Sequence, residues 1–247
     1  MTRPFLRGRR AAVALVSLSL STLLGLSACG GGGSSSGKQA SLRLVNATSD
    51  VADVNLSIAG TNRVSGVALD TMSAGASFDA GTYDTVVTSG SSTTALLSTS
   101  RAYSESTDYT MIAWGNTSSL KLSALSDTSD SASTPASGSA YVRLFNTTTD
   151  AGAVDLYLTT ATADLDGASA TISSLAAGSL TSYLTVTPGT YRLRITGAGD
   201  KTDIRLDQSD VVIGNQVRTS FVLQPGAGGV LVHALQFDYQ SATLTVR

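Results

Sequence analysis

The 247-residue sequence predicts an all-β fold organised as two tandem antiparallel β-sandwich domains. Two observations carry that prediction. Apolar and polar residues alternate over short runs, as in Val54-Asn55-Leu56-Ser57-Ile58 and Tyr191-Arg192-Leu193-Arg194-Ile195, the period of a strand with one face on a core and one in water. The same set of runs then occurs twice along the chain, while helical periodicity is almost absent and invites hesitation only over Ala168 to Ala177.

The chain begins with Arg3, Arg7, Arg9 and Arg10, followed by an apolar run from Ala11 to Leu26 that includes Ser17, Ser19, Ser21 and Thr22. That run is shorter than the roughly 20 residues of a permanent membrane span. A basic start, a short apolar core and small residues after it describe a secretory signal. The residues following Arg9-Arg10, Ala11-Ala12-Val13, do not extend the pair into a twin-arginine motif. Leu26-Ser27-Ala28-Cys29 resembles the lipobox of bacterial lipoproteins, and Cys29 is the only cysteine of the chain. The resemblance implies a signal peptide over 1–28, acylation of Cys29, and a place in the bacterial cell envelope with the membrane as partner through that lipid. Gly30 stands where the family's sorting rule puts an inner-membrane Asp, so the resemblance favours the outer membrane.

Residues 29–40 follow as a Gly/Ser tether, a flexible coil whose 11 residues from Gly30 to Ala40 reach roughly 18 Å root-mean-square. Loss of the four signal arginines leaves 12 basic against 18 acidic residues, a net charge near −6. Such a balance predicts no nucleic-acid partner and no electrostatic hold on anionic headgroups.

The repeat sets the domain boundaries. Leu42-Arg43-Leu44-Val45-Asn46 is answered by Val142-Arg143-Leu144-Phe145-Asn146, and Val54 to Ile58 by Val154-Asp155-Leu156-Tyr157-Leu158, both at an offset of 100. Ala80-Gly81-Thr82-Tyr83 is answered by Pro188-Gly189-Thr190-Tyr191 at 108, and Met111-Ile112-Ala113 by Phe221-Val222-Leu223 at 110. The growing offset predicts loop insertions in the second copy. Between the copies, residues 126–139 hold no apolar side chain larger than Ala apart from a proline, and read as a linker. The first copy thus spans 41–125 and the second 140–247, with about seven strands each in two facing sheets.

Arg143-Leu144-Phe145-Asn146, the Asp-bearing loop after it, Val154-Asp155-Leu156-Tyr157-Leu158 and Pro188-Gly189-Thr190-Tyr191-Arg192-Leu193-Arg194-Ile195 together resemble the bacterial domain-of-unknown-function family 4397. The likeness covers both copies and is clearer in the second; the first departs with Asn55, Ser57 and Ala80 where Asp155, Tyr157 and Pro188 stand. It implies exported, immunoglobulin-like β domains and transfers no catalytic residue.

Candidate chemistry is sparse. His233, the only imidazole, lacks a Gly-x-Ser-x-Gly elbow to serve, and at its offset answers Ser123 on a strand. The pairs Asp50/Asp53 and Asp164/Asp166 and the group Asp203, Asp207 and Asp210 do not follow a calcium-loop pattern and read as solvated loop residues. Arg43 with Asp50, and Arg143 with Asp150, recur at one spacing and read as an ion pair clamping the first strand to its loop. Trp114 is out of phase with the inward Tyr109 and Met111, so it is the aromatic to test as a glycan platform. Its counterpart is Gln224, and core or rim packing is the plainer account. The triplets Asn46-Ala47-Thr48, Asn116-Thr117-Ser118 and Asn146-Thr147-Thr148 read as chance glycosylation matches. No catalytic set, metal set or cofactor is predicted. The expected role is that of a non-enzymatic, lipid-anchored envelope protein that interacts or spaces, with an envelope protein or a glycan as partner. The alternative is a glycan- or small-ligand-binding module with its site in the groove between the domains.

Overall fold

A computed structural model of the chain describes residues 38–126, 134–226 and 232–247. The expected signal, Cys29, most of the tether and residues 127–133 of the linker lie outside the described residues.

Eight strands build the first repeat: β1 (Gln39–Thr48), β2 (Asp53–Ile58), β3 (Thr61–Ala68), β4 (Ala76–Asp79), β5 (Gly81–Ser89), β6 (Ala95–Tyr103), β7 (Asp108–Gly115) and β8 (Lys121–Ser126). Nine build the second: β9 (Ala140–Asn146), β10 (Val154–Thr159), β11 (Ile172–Leu175), β12 (Leu184–Val186), β13 (Gly189–Gly197), β14 (Asp200–Ile213), β15 (Arg218–Pro225), β16 (Val232–Asp238) and β17 (Thr243–Val246). The described residues contain no helix, and Ala168 to Ala177 holds β11.

The first repeat folds as sheet β4-β1-β7-β8 over sheet β3-β2-β5-β6, the second as β12-β9-β15-β16-β17 over β11-β10-β13-β14. With β17 set aside, the two orders are identical. One feature departs from the expected antiparallel sandwich: the first strand of each repeat pairs in parallel with the seventh, β1 with β7 and β9 with β15. Placing the first strand beside the seventh also differs from the immunoglobulin order, in which it lies beside the second.

The predicted insertion has one location. Register equates Val54–Val67 with Val154–Leu175, so the offset steps from 100 to 108 between β2 and β3. In the first repeat those strands meet through Ala59-Gly60, both at positive φ (51° and 72°), as a tight two-residue hairpin requires. In the second repeat residues 160–171 form a long loop instead. The linker's end is not loose: Pro135 is buried and its carbonyl accepts from Gln216 Nε2, and the Gly138 amide donates to Asn215 Oδ1.

Each sandwich has its own core. Leu42, Leu44, Met111, Val54, Leu56 and Val87 fill the first; Val142, Leu144, Phe221, Leu156, Leu193 and Ile195 fill the second. A third core joins them. Val45, Ala47, Ile112, Trp114 and Leu125, on the opposite face of sheet β4-β1-β7-β8, pack with Phe145, Val222, Leu235, Phe237 and Tyr239, on the opposite face of the sheet holding β9, β15 and β16. The central strands β1, β7, β9, β15 and β16 are therefore buried on both sides, and residues 36–247 form one compact unit.

Candidate functional site

The seam between the repeats gathers four of the residues singled out by sequence, Trp114, His233, Arg43 and Arg143. Trp114 is 5% exposed. Its ring meets Phe145 edge-on at 5.6 Å between centroids, carries the Lys121 ammonium over its face at 4.5 Å, and donates through Nε1 to Ser123 Oγ at 2.9 Å. Cη2 lies against Gly178, where a Cβ would stand 3.4 Å away. Trp114, the aromatic to test as a glycan platform, is thus a wall of the third core, in line with the plainer account of packing.

The two ends of the seam use related positions but different contacts. Trp114 answers Gln224 and Gly178 answers Asp70, the latter pair shown by matching amide bonds to the Asn146 and Asn46 carbonyls. Where Trp114 of the first repeat presses on Gly178 of the second, His233 of the second bonds Asp70 of the first, Nε2 to Oδ1 at 3.2 Å. A large ring facing a glycine on one side is replaced by a smaller amide and an acidic side chain on the other. Register also corrects the counterpart of His233: Trp114 pairs with Lys121 as Gln224 pairs with His233, so the match is Lys121 rather than Ser123. Gln224 is fully buried with both amide atoms lacking a protein hydrogen-bond partner.

The two recurring arginines serve the same seam. Arg143, 2% exposed, donates from Nε to Ser220 Oγ at 2.8 Å and from Nη2 to the Tyr239 hydroxyl, and lies 4.3 Å from the Tyr183 ring centroid. Arg43 reaches over Phe237 of the other repeat at 5.3 Å. Burial pushes the Tyr183 phenol well above its ordinary value, with Arg143 pulling the other way. The expected ion pairs to Asp50 and Asp150 do not occur among the described residues; Asp50 accepts the Thr117 amide instead. The arginines recur because each repeat presents them on its shared outer face, where a guanidinium stacks on aromatic rings.

The Asn-x-Thr triplets also have a physical reason. Asn46 and Asn146 are fully buried at the ends of β1 and β9. Asn46 Nδ2 donates to the Val51 and Val67 carbonyls and Asn146 Nδ2 to those of Gly152 and Leu175, all at 3.0–3.1 Å. Each Oδ1 accepts the hydroxyl of the Thr two residues on. The motif is an internal staple closing the loop after the first strand, used in both repeats with the loop acceptor shifted by one residue in the second.

Several of the acidic groups are engaged, while Asp53 Oδ1 is buried without a hydrogen-bond partner among the described residues. Asp207 and Arg192 form a two-point ion pair at 2.5–2.6 Å, which holds the Asp207 carboxyl below and the Arg192 guanidinium above their ordinary values. Asp203 pairs with Arg205, and Asp164 accepts the Asp166 amide. Among the described residues no three of His, Cys, Asp and Glu converge as a metal site.

One open concavity lies away from the seam, on the outer face of sheet β3-β2-β5-β6. It is a groove of about 420 Å³ beside Asn55, Ser57, Asn62, Thr88 and Gly90. Asn55 shapes it: Nδ2 donates to Thr88 Oγ1 and the Gly90 carbonyl, while Oδ1 accepts the Gly66 amide. Asp155 does the corresponding work in the second repeat, accepting the Ser174 and Gly199 amides. Sequence reasoning missed the groove because its residues read only as the polar half of an alternating pattern.

A family model, a domain of unknown function (DUF4397), matches residues 40–157. No curated protein matches the chain. The matched stretch runs through the whole first repeat and on into β10. The Asn46 and Asn146 staples, Arg43, Arg143, Trp114 and the groove's Asn55, Ser57 and Thr88 all fall within it.

Proposed function

We propose that the chain is a lipid-anchored protein of the bacterial cell envelope, without an enzymatic centre, whose two DUF4397-like repeats act together as one recognition or spacing body. The lipobox-like Leu26-Ser27-Ala28-Cys29 and the Gly/Ser stretch after it support anchoring at the outer membrane through acyl chains on Cys29. The observation that carries the recognition reading is the seam. Two sandwiches fused through Trp114, Phe145 and Phe237 behave as one solid, so a partner meets fixed surfaces rather than two beads on a string. Side chains able to do chemistry support the same reading, because they are engaged in the body itself: His233 bonds Asp70 across the repeats, and Arg143 bonds Tyr239 within the second.

Replacing Cys29 by Ala tests the anchor. The variant is expected in the soluble fraction after cell lysis, and persistent membrane association refutes acylation. Crosslinking in cells followed by partner identification tests the recognition reading; recovery of a hydrolytic activity from the purified chain overturns it. The second reading, a ligand-binding module, is favoured by one observation, the polar groove of the first repeat.

A further inference from the structure

We propose that Gln224 holds a single ordered water molecule inside the seam, so that a solvent molecule is part of the joint between the two repeats. The site stands apart from the envelope reading, since it depends neither on a lipid at Cys29 nor on a partner.

Gln224 stands near the end of β15, two residues beyond Val222 and therefore on the same face of the strand, the one that enters the third core. It is fully buried. Neither Oε1 nor Nε2 has a hydrogen-bond partner among the described residues. Exchanging the two ends of the amide changes nothing, because the donor and the acceptor are both unmet. A buried polar atom left unpaired costs about 1–3 kcal/mol, so the amide calls for a group that accepts from one of its ends and donates to the other.

The first repeat shows why no side chain supplies that group. Trp114 occupies the corresponding position, and its single donor is satisfied by Ser123 Oγ at 2.9 Å. Ser123 pairs with Ile112 as Leu235 pairs with the matching Val222, so an apolar Leu235 stands where the hydroxyl would be. The residue directly opposite Gln224, His233, commits Nε2 to Asp70. The amide thus sits at the polar end of a seam that is otherwise apolar, and its side chain is smaller than the indole at the matching place.

The chemistry of the ligand follows. A metal ion would meet only Oε1 and an anion only Nε2, whereas the amide presents a donor and an acceptor side by side along one edge. A water molecule accepts from the Nε2 hydrogen nearer Oε1 and donates to Oε1, closing a ring along that edge. Its second hydrogen and second lone pair remain for the polar groups around it, which brings it to the two to four bonds typical of internal water. Complete burial of Gln224 leaves no route for a larger hydroxyl compound.

The test is water-selective nuclear Overhauser spectroscopy, in the laboratory and rotating frames, on the full mature chain with isotopically labelled glutamine amides. Cross-peaks between water and the Gln224 Nε2 hydrogens are expected, of opposite sign in the two frames, as for a water that stays longer than the protein takes to tumble. Gln224→Met keeps an unbranched side chain and removes the amide. Magnetic relaxation dispersion of the solvent oxygen is expected to show one long-lived water fewer in this variant than in the parent. The parent's cross-peak reads the site even if the variant fails to fold. Absence of that cross-peak, equal signs in the two frames, or an unchanged dispersion in folded Gln224→Met overturns the proposal.

Discussion

Replacing Trp114 by Ala distinguishes a wall of the seam from an exposed ligand platform. The ring is almost wholly buried, so its removal forfeits the transfer free energy of a large side chain and leaves a cavity between sheets that cannot both close in. Core Trp-to-Ala changes cost about 3–5 kcal/mol. The upper part of that range is expected here, because the edge contact with Phe145 is lost and Ser123 loses the indole donor. For a protein of this size each kcal/mol moves the melting midpoint by about 2–4 °C, so a loss of about 4–5 kcal/mol should lower it by between about 8 and 20 °C. Thermal melts followed by far-ultraviolet circular dichroism measure it. The loss should also fall on the coupling between repeats, broadening the transition or splitting it in two. A shift below about 2 °C with an unchanged profile refutes the seam as described, and places Trp114 on a surface.

Three further outcomes follow from the same geometry. Gly178→Asp puts into the second repeat the residue its counterpart Asp70 supplies in the first, and the new side chain meets Trp114. Overpacking of about 1–3 kcal/mol is expected in urea denaturation, and adding Trp114→Gln should recover part of it; no recovery argues against the Trp114–Gly178 contact. Asn46→Ala removes the amide that joins the Val51 and Val67 carbonyls, and because the Thr48 hydroxyl still donates to Val51, a loss of about 1–3 kcal/mol is expected from the same measurement. Burial raises the Asp238 carboxyl above its ordinary value, with the Thr219 hydroxyl bond opposing. The folded state therefore holds that proton to higher pH than the unfolded chain, and Asp238 withdraws stability as pH rises through the raised value. Asp238→Asn does not titrate, so relative to the parent it should gain stability between pH 3 and pH 7; a relative loss over that interval contradicts the assignment.

Much of the fold was legible because strands with one wet face print a period of two. Val54-Asn55-Leu56-Ser57-Ile58 is such a strand, and its side chains alternate between buried and half-buried. The repeat offsets located the insertion before any coordinates, since a hairpin tolerates added loop more readily than a strand tolerates a slip of register. The seam was not read, although its signal is present. Met111-Ile112-Ala113-Trp114 and Phe221-Val222-Leu223 are unbroken apolar runs, the mark of strands buried on both faces. Trp114 looked out of phase only because one face was taken to be wet. The parallel pairing of β1 with β7 leaves no local trace, as it joins residues 67 apart through the fold alone. Asn46 and Arg43 were misread for a related reason. The first reads in sequence as a chance glycosylation match and the second as the ion-pair partner of Asp50, yet here one staples a loop from inside and the other stacks on a ring across the seam.

The most direct measurement of the fused two-repeat body is differential scanning calorimetry of the mature chain. One transition whose calorimetric and van't Hoff enthalpies agree, a ratio of about 1, is the expected result. Two resolved transitions, or a ratio of about 2, would mean that the sandwiches unfold independently and that the aromatic seam does not hold them as a single unit.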